Sequence, residues 1–215
     1  MYEITIGFYY VSLIVFVLIY YCMYCMYCMY CRFVTSLCIL DYNTVAAVDK
    51  FGSVFVLRLP EGASDEVEVA AGARKLWDQG VLSGAPLKLE LLAHYYLGEA
   101  GTSITKCALV TGGPEIIVVT TICGGIFAII PLSSKDDIVF YQHLEMFMRQ
   151  EFTNVCQRDH LSYRSYFAPV KNVIDGDLCE RFGAMPMSKQ KEFASDIDRT
   201  TAEIMKKLED TRNSL

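Results

Sequence analysis

Four cysteines near the start of the chain are spaced three residues apart, as the ligands of an iron–sulfur cluster can be. They are Cys22, Cys25, Cys28 and Cys31. Cluster-binding loops are irregular and rich in turns, whereas here the same Met-Tyr pair fills every gap. A perfect triplet of this kind is what a short tandem nucleotide repeat encodes when it is read in frame. The pattern therefore favours low-complexity sequence over a metal site.

Residues 1–31 as a whole form an apolar leader that is open to more than one interpretation. Residues 4–21 are almost wholly apolar and long enough to cross a bilayer. Glu3 is the only charge before Arg32, however, and no small-residue cleavage site follows. We favour a mispredicted or translated non-coding leader over a single membrane helix. Membrane contact is expected only if residues 4–21 are a genuine transmembrane helix.

Two carboxylates flank a glycine in Asp175-Gly176-Asp177, which could indicate acid–base catalysis or a metal ligand. Alternate residues around a glycine seldom converge on one substrate atom, and no third ligand is spaced nearby. We expect a mechanical role instead. Asp175 should cap a helix over residues 178–182, and Gly176 should let the chain turn in front of it.

No other group of residues has the spacing of a catalytic site. His94, His143 and His160 are isolated, and no serine or cysteine lies in a nucleophile elbow. The glycine runs at 111–115 and 123–125 lack the Lys-Ser/Thr of a phosphate loop and predict turns. The sequence therefore predicts a protein that is not an enzyme and that has no catalytic residue, cofactor or metal.

The amino-acid composition limits which functional classes remain. Hydrophobic residues make up 53% of the chain and the formal net charge is −6. Such a chain can build a packed core, whereas a protein that grips phosphate backbones usually presents a basic surface. Direct binding of nucleic acid is therefore disfavoured. The five scattered cysteines are expected to be reduced, buried thiols of an intracellular protein.

The chain from residue 32 onward is predicted to be mainly β, with a helical C-terminal part. Residues 32–134 contain about seven short strands joined by glycine-rich hairpins, and residues 135–215 contain about four helices. Consecutive antiparallel strands of this kind fit propeller blades, a sandwich or an open barrel. Seven strands make fewer than two four-stranded blades, so a propeller would be partial and its sheet edges would be uncovered. Predicted strands are 33–40, 44–48, 53–59, 87–97, 103–110, 115–122 and 126–131.

The helices are predicted from apolar spacing and from capping signals. Ser134 and Asp137 resemble a capping box for a helix that runs to about residue 151. A second helix begins near Asp175, a third covers about 189–197, and a fourth begins at a Thr200–Glu203 capping box. A further helical turn is expected over residues 74–81.

Longer runs of sequence resemble a known family. Residues 164–182, RSYFAPVKNVIDGDLCERF, resemble the C-terminal signature of the family that contains the large subunits of the cleavage and polyadenylation specificity factor and of the DNA-damage-binding protein. Within that family, the RDHLS run at 158–162, the KNV before the DGDL core and the KKLED at 206–210 favour the splicing branch. The resemblance covers residues 32–215 with its order intact, and residues 1–31 have no counterpart in it.

The resemblance implies a fold, a function and partners. The family fold is three seven-bladed propellers followed by a helical domain, so this chain would hold the last blades and the helices. The implied function is that of a non-catalytic scaffold, present as a C-terminal fragment, in the nuclear complex that recognises the branch point of pre-mRNA. The implied partners are the other subunits of the splicing factor 3B complex, with RNA contacted mostly through them. A nucleic-acid-binding propeller protein of the damage-recognition or polyadenylation type is the alternative.

One stretch combines basic and aromatic side chains and is the candidate interaction surface. Such side chains can stack on RNA bases or form a protein–protein hot spot. Neighbouring acids such as Asp159 dilute the charge, so the second interpretation is favoured. The residues are Arg158, Tyr163, Arg164, Tyr166, Phe167 and Lys171.

Overall fold

The fold contains two antiparallel sheets followed by a helical region, as a computed structural model of the protein shows. The structure describes residues 33–59, 89–154 and 156–213. The first sheet has four strands in the order β1-β2-β3-β4, and the second has three in the order β5-β6-β7. The strands are β1 Val34–Ile39, β2 Thr44–Asp49, β3 Ser53–Arg58, β4 Glu90–Tyr96, β5 Gly101–Cys107, β6 Ile116–Thr121 and β7 Ile126–Ile129.

A tight turn joins β2 to β3 and is held from inside by one carboxylate. Asp49 is buried, and its Oδ1 accepts hydrogen bonds from the backbone N–H of Phe51 (2.9 Å) and of Ser53 (2.8 Å). Gly52 completes the turn with φ +95°, a conformation that residues with a Cβ rarely adopt. A side chain there would also lie 2.8 Å from the carbonyl oxygen of Glu99. The glycine-containing hairpin predicted between the strands at 44–48 and 53–59 is therefore confirmed.

The two sheets pack against each other through one face of the first sheet. Val48 and Val54 from that face share a core cluster with Ile104 and Val119 from the second sheet. Ser36 Oγ on β1 accepts a hydrogen bond from the Ile104 backbone N–H on β5. The approach is closest at Gly101, where a Cβ atom would lie 2.6 Å from the Cβ of Val48. The sheets can approach this closely because residue 101 has no side chain.

The helical region has its own core. Its buried residues come from four helices and a 3₁₀ turn, and they include Phe140, Leu144, Phe182 and Ile204. The elements are α1 Lys135–Glu151, α2 His160–Tyr163, α3 Gly176–Glu180, a 3₁₀ turn Arg181–Ala184, α4 Met187–Asp196 and α5 Thr201–Asn213.

The capping predictions have different outcomes. Thr200 and Glu203 form the predicted box, with Glu203 N–H bonding to Thr200 Oγ1 and Thr200 N–H bonding to Glu203 Oε2. The prediction of a capping box at Ser134 is wrong, because the Ser134 side chain makes no capping hydrogen bond. Asp137 instead pairs with Lys207 of α5, so it joins two helices. Gly176 does not provide a turn of unusual geometry either, since it is the first residue of α3 and its φ is not positive.

The outer edge of β4 is covered by the segment 164–172. The backbone N–H of Tyr96 donates to the Arg164 carbonyl, and His94 and Lys171 exchange two backbone hydrogen bonds of 3.0 Å each. Asn172 Nδ2 adds a bond to the Leu92 carbonyl. The prediction of uncovered edges is therefore wrong for β4. Among the described residues, no backbone hydrogen bond joins the outer side of β7 to another segment.

The predicted sequence of elements agrees with the structure apart from α2, which the prediction lacked. The seven predicted strands and the helices at 135–151, near 175, near 189–197 and after 200 are all present, with ends that differ by a few residues. The boundary between residues 134 and 135 stays a prediction. The leader 1–31, with its cysteine run and its candidate membrane helix, lies outside the described residues, as does the helical turn at 74–81.

The described part of the chain bears on membrane crossing by its own helices and on two expectations about the cysteines. None of its helices is long and apolar enough to cross a membrane. Cys38, Cys107, Cys123, Cys156 and Cys179 are free thiols, as expected. The expectation that they are buried holds only for Cys179, because Cys123 and Cys156 are exposed.

The close approach at Gly101 predicts that adding one methyl group there strongly lowers stability. Gly101→Ala should lower the free energy of unfolding by about 1–3 kcal/mol, because the new Cβ overlaps Val48 and pushes the sheets apart. Urea denaturation of the 215-residue chain measures this. Gly176→Ala is the matched control, since its Cβ meets nothing within 4 Å. Equal stabilities for the two variants would contradict the packing described.

Candidate functional site

The carboxylate of Asp175 is the centre of a buried polar cluster. Its Oδ2 atom accepts hydrogen bonds from Tyr95 Oη at 2.7 Å, His160 Nε2 at 2.9 Å and Arg164 Nε at 3.1 Å. Its Oδ1 atom accepts from the backbone N–H of Leu178 at 3.2 Å, which is the predicted helix cap. Only 4% of Asp175 is exposed. Three side chains from different parts of the chain thus converge on a single oxygen.

The partners in this Asp175 cluster come from a strand and two helices. Tyr95 lies on β4, His160 begins α2, and Arg164 is the residue that ends α2. Asp175 precedes α3, and its backbone N–H donates to Glu145 Oε1 of α1 at 3.3 Å. The cluster therefore ties the four-stranded sheet to three helices.

The charges of the cluster are set by burial and by its hydrogen bonds. Burial acts to raise the pKa of Asp175, but the bonds from His160 and Tyr95 and the charge of Arg164 bring it well below its usual range. Burial, together with the Asp175 charge, raises the pKa of the Tyr95 hydroxyl. Burial also raises the pKa of Glu145. Asp175 is thus the ionised carboxylate, and Arg164 is its permanent counter-charge.

This geometry resembles an acid–histidine pair, but the Asp175 side chain is already bonded to partners within the fold and His160 is buried. His160 is 9% exposed, and Asp175 already holds five hydrogen bonds when its backbone N–H is included. Cys179, the nearby buried thiol, has a pKa raised by burial, which keeps it protonated and unreactive. Asp177 is exposed and does not join the cluster. The arrangement is suited to holding layers together. Among the described residues, no group of three or more metal-ligating side chains is present.

A second feature is a cluster of aromatic rings at the surface. Phe51, from the β2–β3 turn, has its ring centroid 6.2 Å from that of Phe33 and 6.3 Å from those of both Tyr166 and Phe167. Tyr166 stacks on Tyr96 of β4 at 5.1 Å. We call Phe33, Phe51, Tyr166 and Phe167 the aromatic cluster. Phe33 is 69% exposed and Phe167 is 67% exposed.

The structure divides the predicted interaction residues among four places. Tyr166 and Phe167 belong to the aromatic cluster, whereas Arg164 is drawn into the Asp175 cluster, with Tyr163 packed beside its guanidinium. Lys171 is placed along β4, where its ammonium group bonds to the Leu91 carbonyl. Arg158 is exposed in a loop and bonded through its backbone to Asn154. The stretch is therefore not one basic surface.

Sequence reasoning missed Tyr95, Glu145, Phe33 and Phe51, and it treated His160 as isolated. No spacing signal could have linked Tyr95 to Asp175, because 80 residues separate them. The aromatic cluster likewise unites residues that lie far apart in the sequence, such as Phe51 and Phe167. The signal that was available, the Asx cap at Asp175, was read correctly.

Two packed antiparallel sheets, joined to a C-terminal helical region by the Asp175–Arg164 ion pair, define a β-rich protein with a helical end. The chain belongs to the family described as CPSF A subunit region, whose model matches residues 29–184.

Curated proteins that are similar in sequence to this chain have names that refer to splicing. It is 52% identical over 182 residues to "Splicing factor 3B subunit 3" of Danio rerio and 49% identical over 183 residues to "Probable splicing factor 3B subunit 3" of Dictyostelium discoideum. It is 45% identical over 185 residues to "Spliceosome-associated protein 130 A" of Arabidopsis thaliana. These matches cover 84%, 85% and 86% of this chain but only 15% of each relative. The predicted resemblance to splicing factor 3B subunit 3 is confirmed.

The Asp175 cluster predicts that substitutions of two neighbouring aspartates have very different effects on stability. Asp175→Asn should lower the free energy of unfolding by about 3 kcal/mol, because it leaves the partly buried Arg164 without a counter-charge. Asp177→Asn is the matched control, and as an exposed substitution it should change stability by less than about 0.5 kcal/mol. Chemical denaturation at pH 7 measures both. Similar losses for the two variants would show that the cluster does not stabilise the fold.

The same cluster predicts how stability depends on pH. The pKa of Asp175 is lowered in the fold, so its contribution is present above the unfolded value of about 3.9 and is lost as the pH falls below that value toward the folded pKa. The pKa of Glu145 is raised, so its contribution is lost as the pH rises above about 4.3.

Two variants separate these opposite contributions. The stability deficit of Asp175→Asn relative to wild type should shrink as the pH falls from about 5 to about 3. Glu145→Gln should gain stability relative to wild type as the pH rises from about 4 to about 7, since glutamine keeps an acceptor for the Asp175 N–H without a charge. Urea denaturation across this range is the measurement. A pH-independent difference for both variants would contradict the assignment.

Proposed function

We propose that this chain acts as the C-terminal part of a non-catalytic scaffold subunit in a pre-mRNA splicing complex. The observation that carries the proposal is the identity of 45–52%, over 84–86% of the chain, with proteins named as splicing factor 3B subunit 3 or as spliceosome-associated. Because the chain spans 15% of those relatives' length, the role of the whole protein is carried over only as a proposal.

The fold supports the idea that the two sheets are the last blades of a β-propeller. A four-stranded antiparallel sheet packs its face on a second antiparallel sheet, as neighbouring blades do. Among the described residues, the second sheet has three strands, one fewer than its neighbour. The outer side of β7 carries no charged residue or proline that would discourage strand pairing. A fourth strand supplied by the rest of a longer polypeptide would complete this sheet.

The proposed partners follow from the same relatives. They are the other subunits of the splicing factor 3B complex, in the nucleus, with RNA contacted mostly through those subunits. The net charge of −6 and the neutralisation of Arg164 by Asp175 support indirect rather than direct contact with RNA. A nucleic-acid-binding propeller of the damage-recognition or polyadenylation type is not favoured, because the curated relatives named above are splicing proteins.

The propeller proposal is tested by supplying the absent blades. The probe is the Danio rerio splicing factor 3B subunit 3 truncated before the region that this chain matches. We expect the 215-residue chain to form a stable 1:1 complex with it, seen by size-exclusion chromatography with light scattering. In that complex, amide exchange at Ile126–Ile129 should slow by about tenfold or more, because the open edge of β7 becomes hydrogen-bonded.

The intact Danio rerio protein is the matched control. Its own C-terminal region already fills the position, so it should not bind this chain. Failure of the truncated protein to bind, with amide exchange at β7 unchanged, would contradict the proposal. Equal binding of truncated and intact proteins would contradict it as well, because the contact would then not be completion of a sheet.

A further inference from the structure

The aromatic cluster exposes more ring surface than the packing of this chain requires. Phe33 and Phe167 are each about two-thirds exposed, and Tyr166 is 38% exposed. Scattered exposed apolar side chains are ordinary, but rings that contact one another at the surface form a continuous patch. Contiguous apolar patches of this kind mark sites where other molecules bind.

The backbone is also strained where it positions one ring of the cluster. Phe167 has φ +63°, in the left-handed region that bulky residues rarely adopt, and most of its ring remains exposed. Strained backbone of this sort concentrates at binding sites, where it positions a side chain. On the opposite side of the cluster, the Asp49 carboxylate and Gly52 fix the turn that presents Phe51. The rings are therefore preorganised, which reduces the entropy lost on binding.

One cation accompanies these rings. Lys50 Nζ lies 3.6 Å from the centroid of Phe33 and 5.1 Å from that of Phe51. The ion pairs between described residues do not include Lys50. The adjacent Asp49 is buried and turned toward the backbone of its own turn. In the part of the chain that the structure describes, Lys50 is thus the cation that lies over rings of the cluster, on a chain whose net charge is −6.

We propose that the aromatic cluster and Lys50 form a docking site for a linear peptide segment of a partner protein, one that carries a large apolar side chain beside a carboxylate. The apolar side chain covers Phe33 and Phe167, and the carboxylate pairs with the Lys50 ammonium group. Aromatic anchors with a neighbouring charge are the usual composition of a protein–protein hot spot. This docking site goes beyond the proposed scaffold role and depends on the aromatic cluster and Lys50.

The charges favour a peptide over single-stranded RNA. Binding an RNA backbone needs several cations along a track, in addition to rings for base stacking. Of the nearby cations, Arg164 is neutralised by Asp175, and the Lys171 ammonium group is bonded to the Leu91 carbonyl. A single lysine can satisfy one carboxylate but cannot follow a phosphate chain.

The test begins with a random dodecapeptide phage library selected on the 215-residue chain. Phage that also bind the Phe167→Gly variant are removed at each round. We expect the enriched peptides to share an aromatic or large aliphatic residue within a few positions of Asp or Glu. A basic consensus, or no enrichment over the counter-selection, overturns the proposal.

The dissociation constant of one selected, fluorescently labelled peptide then tests each contact. Phe167→Gly and Phe33→Ala should weaken binding by about tenfold or more. Phe167→Gly is the decisive variant, because glycine relieves the strained φ, so the fold should be at least as stable as wild type while binding is lost. Lys50→Met should weaken binding and remove its dependence on salt. Tyr42→Ala, at a ring that is 68% exposed and outside the cluster, is the control and should bind as wild type does.

Three outcomes decide between occupants. Dodecauridine binding that is lost in Phe167→Gly, with no peptide selected, would overturn the proposal in favour of RNA. Peptide binding that is abolished when the truncated Danio rerio protein is added would show that the rest of the polypeptide covers the cluster, and this also overturns it. Peptide binding that survives in the presence of that protein supports the proposal, whether or not the two chains associate.

Discussion

The rest of the structure depends on one buried oxygen atom. Asp175 Oδ2 accepts hydrogen bonds from a tyrosine of the sheet, a histidine of a short helix and an arginine that ends this helix. Burying a charge is costly unless it is paired and hydrogen-bonded, so these donors are required as a set. The same arginine supplies, through its carbonyl, the hydrogen bond that begins to cover the outer edge of β4. Electrostatic pairing and strand-edge protection are thus joined in one residue.

The aromatic cluster lies directly along the chain from this arginine. After Arg164 of the ion pair, the chain stacks Tyr166 on Tyr96. The next residue, Phe167, has a strained backbone and an exposed ring. The Asp175 cluster therefore fixes where the exposed rings stand, because the segment that carries them begins at a buried, charged anchor. A buried polar centre can in this way determine the geometry of a surface several residues away.

Sequence reasoning succeeded wherever the deciding interactions are local. The hairpin at residues 50–52 follows from Gly52, and the caps at Asp175 and Thr200 follow from side chains that bond to their own helix. It failed where a distant partner competes for the same group. Asp137 was expected to support a local cap but pairs with Lys207, 70 residues away, because two helices pack there. Arg164 was expected at the surface, yet the Asp175 carboxylate draws it inward.

The Asp175 cluster also has a consequence for how this segment can change over evolutionary time. Replacing any one of Tyr95, His160, Arg164 or Asp175 alone leaves the others with an unmatched proton or charge away from water. Viable substitutions at these four positions should therefore be correlated, and we expect the short stretch that contains three of them to diverge slowly. A motif can in this way remain recognisable across distant lineages through the mutual dependence of its side chains.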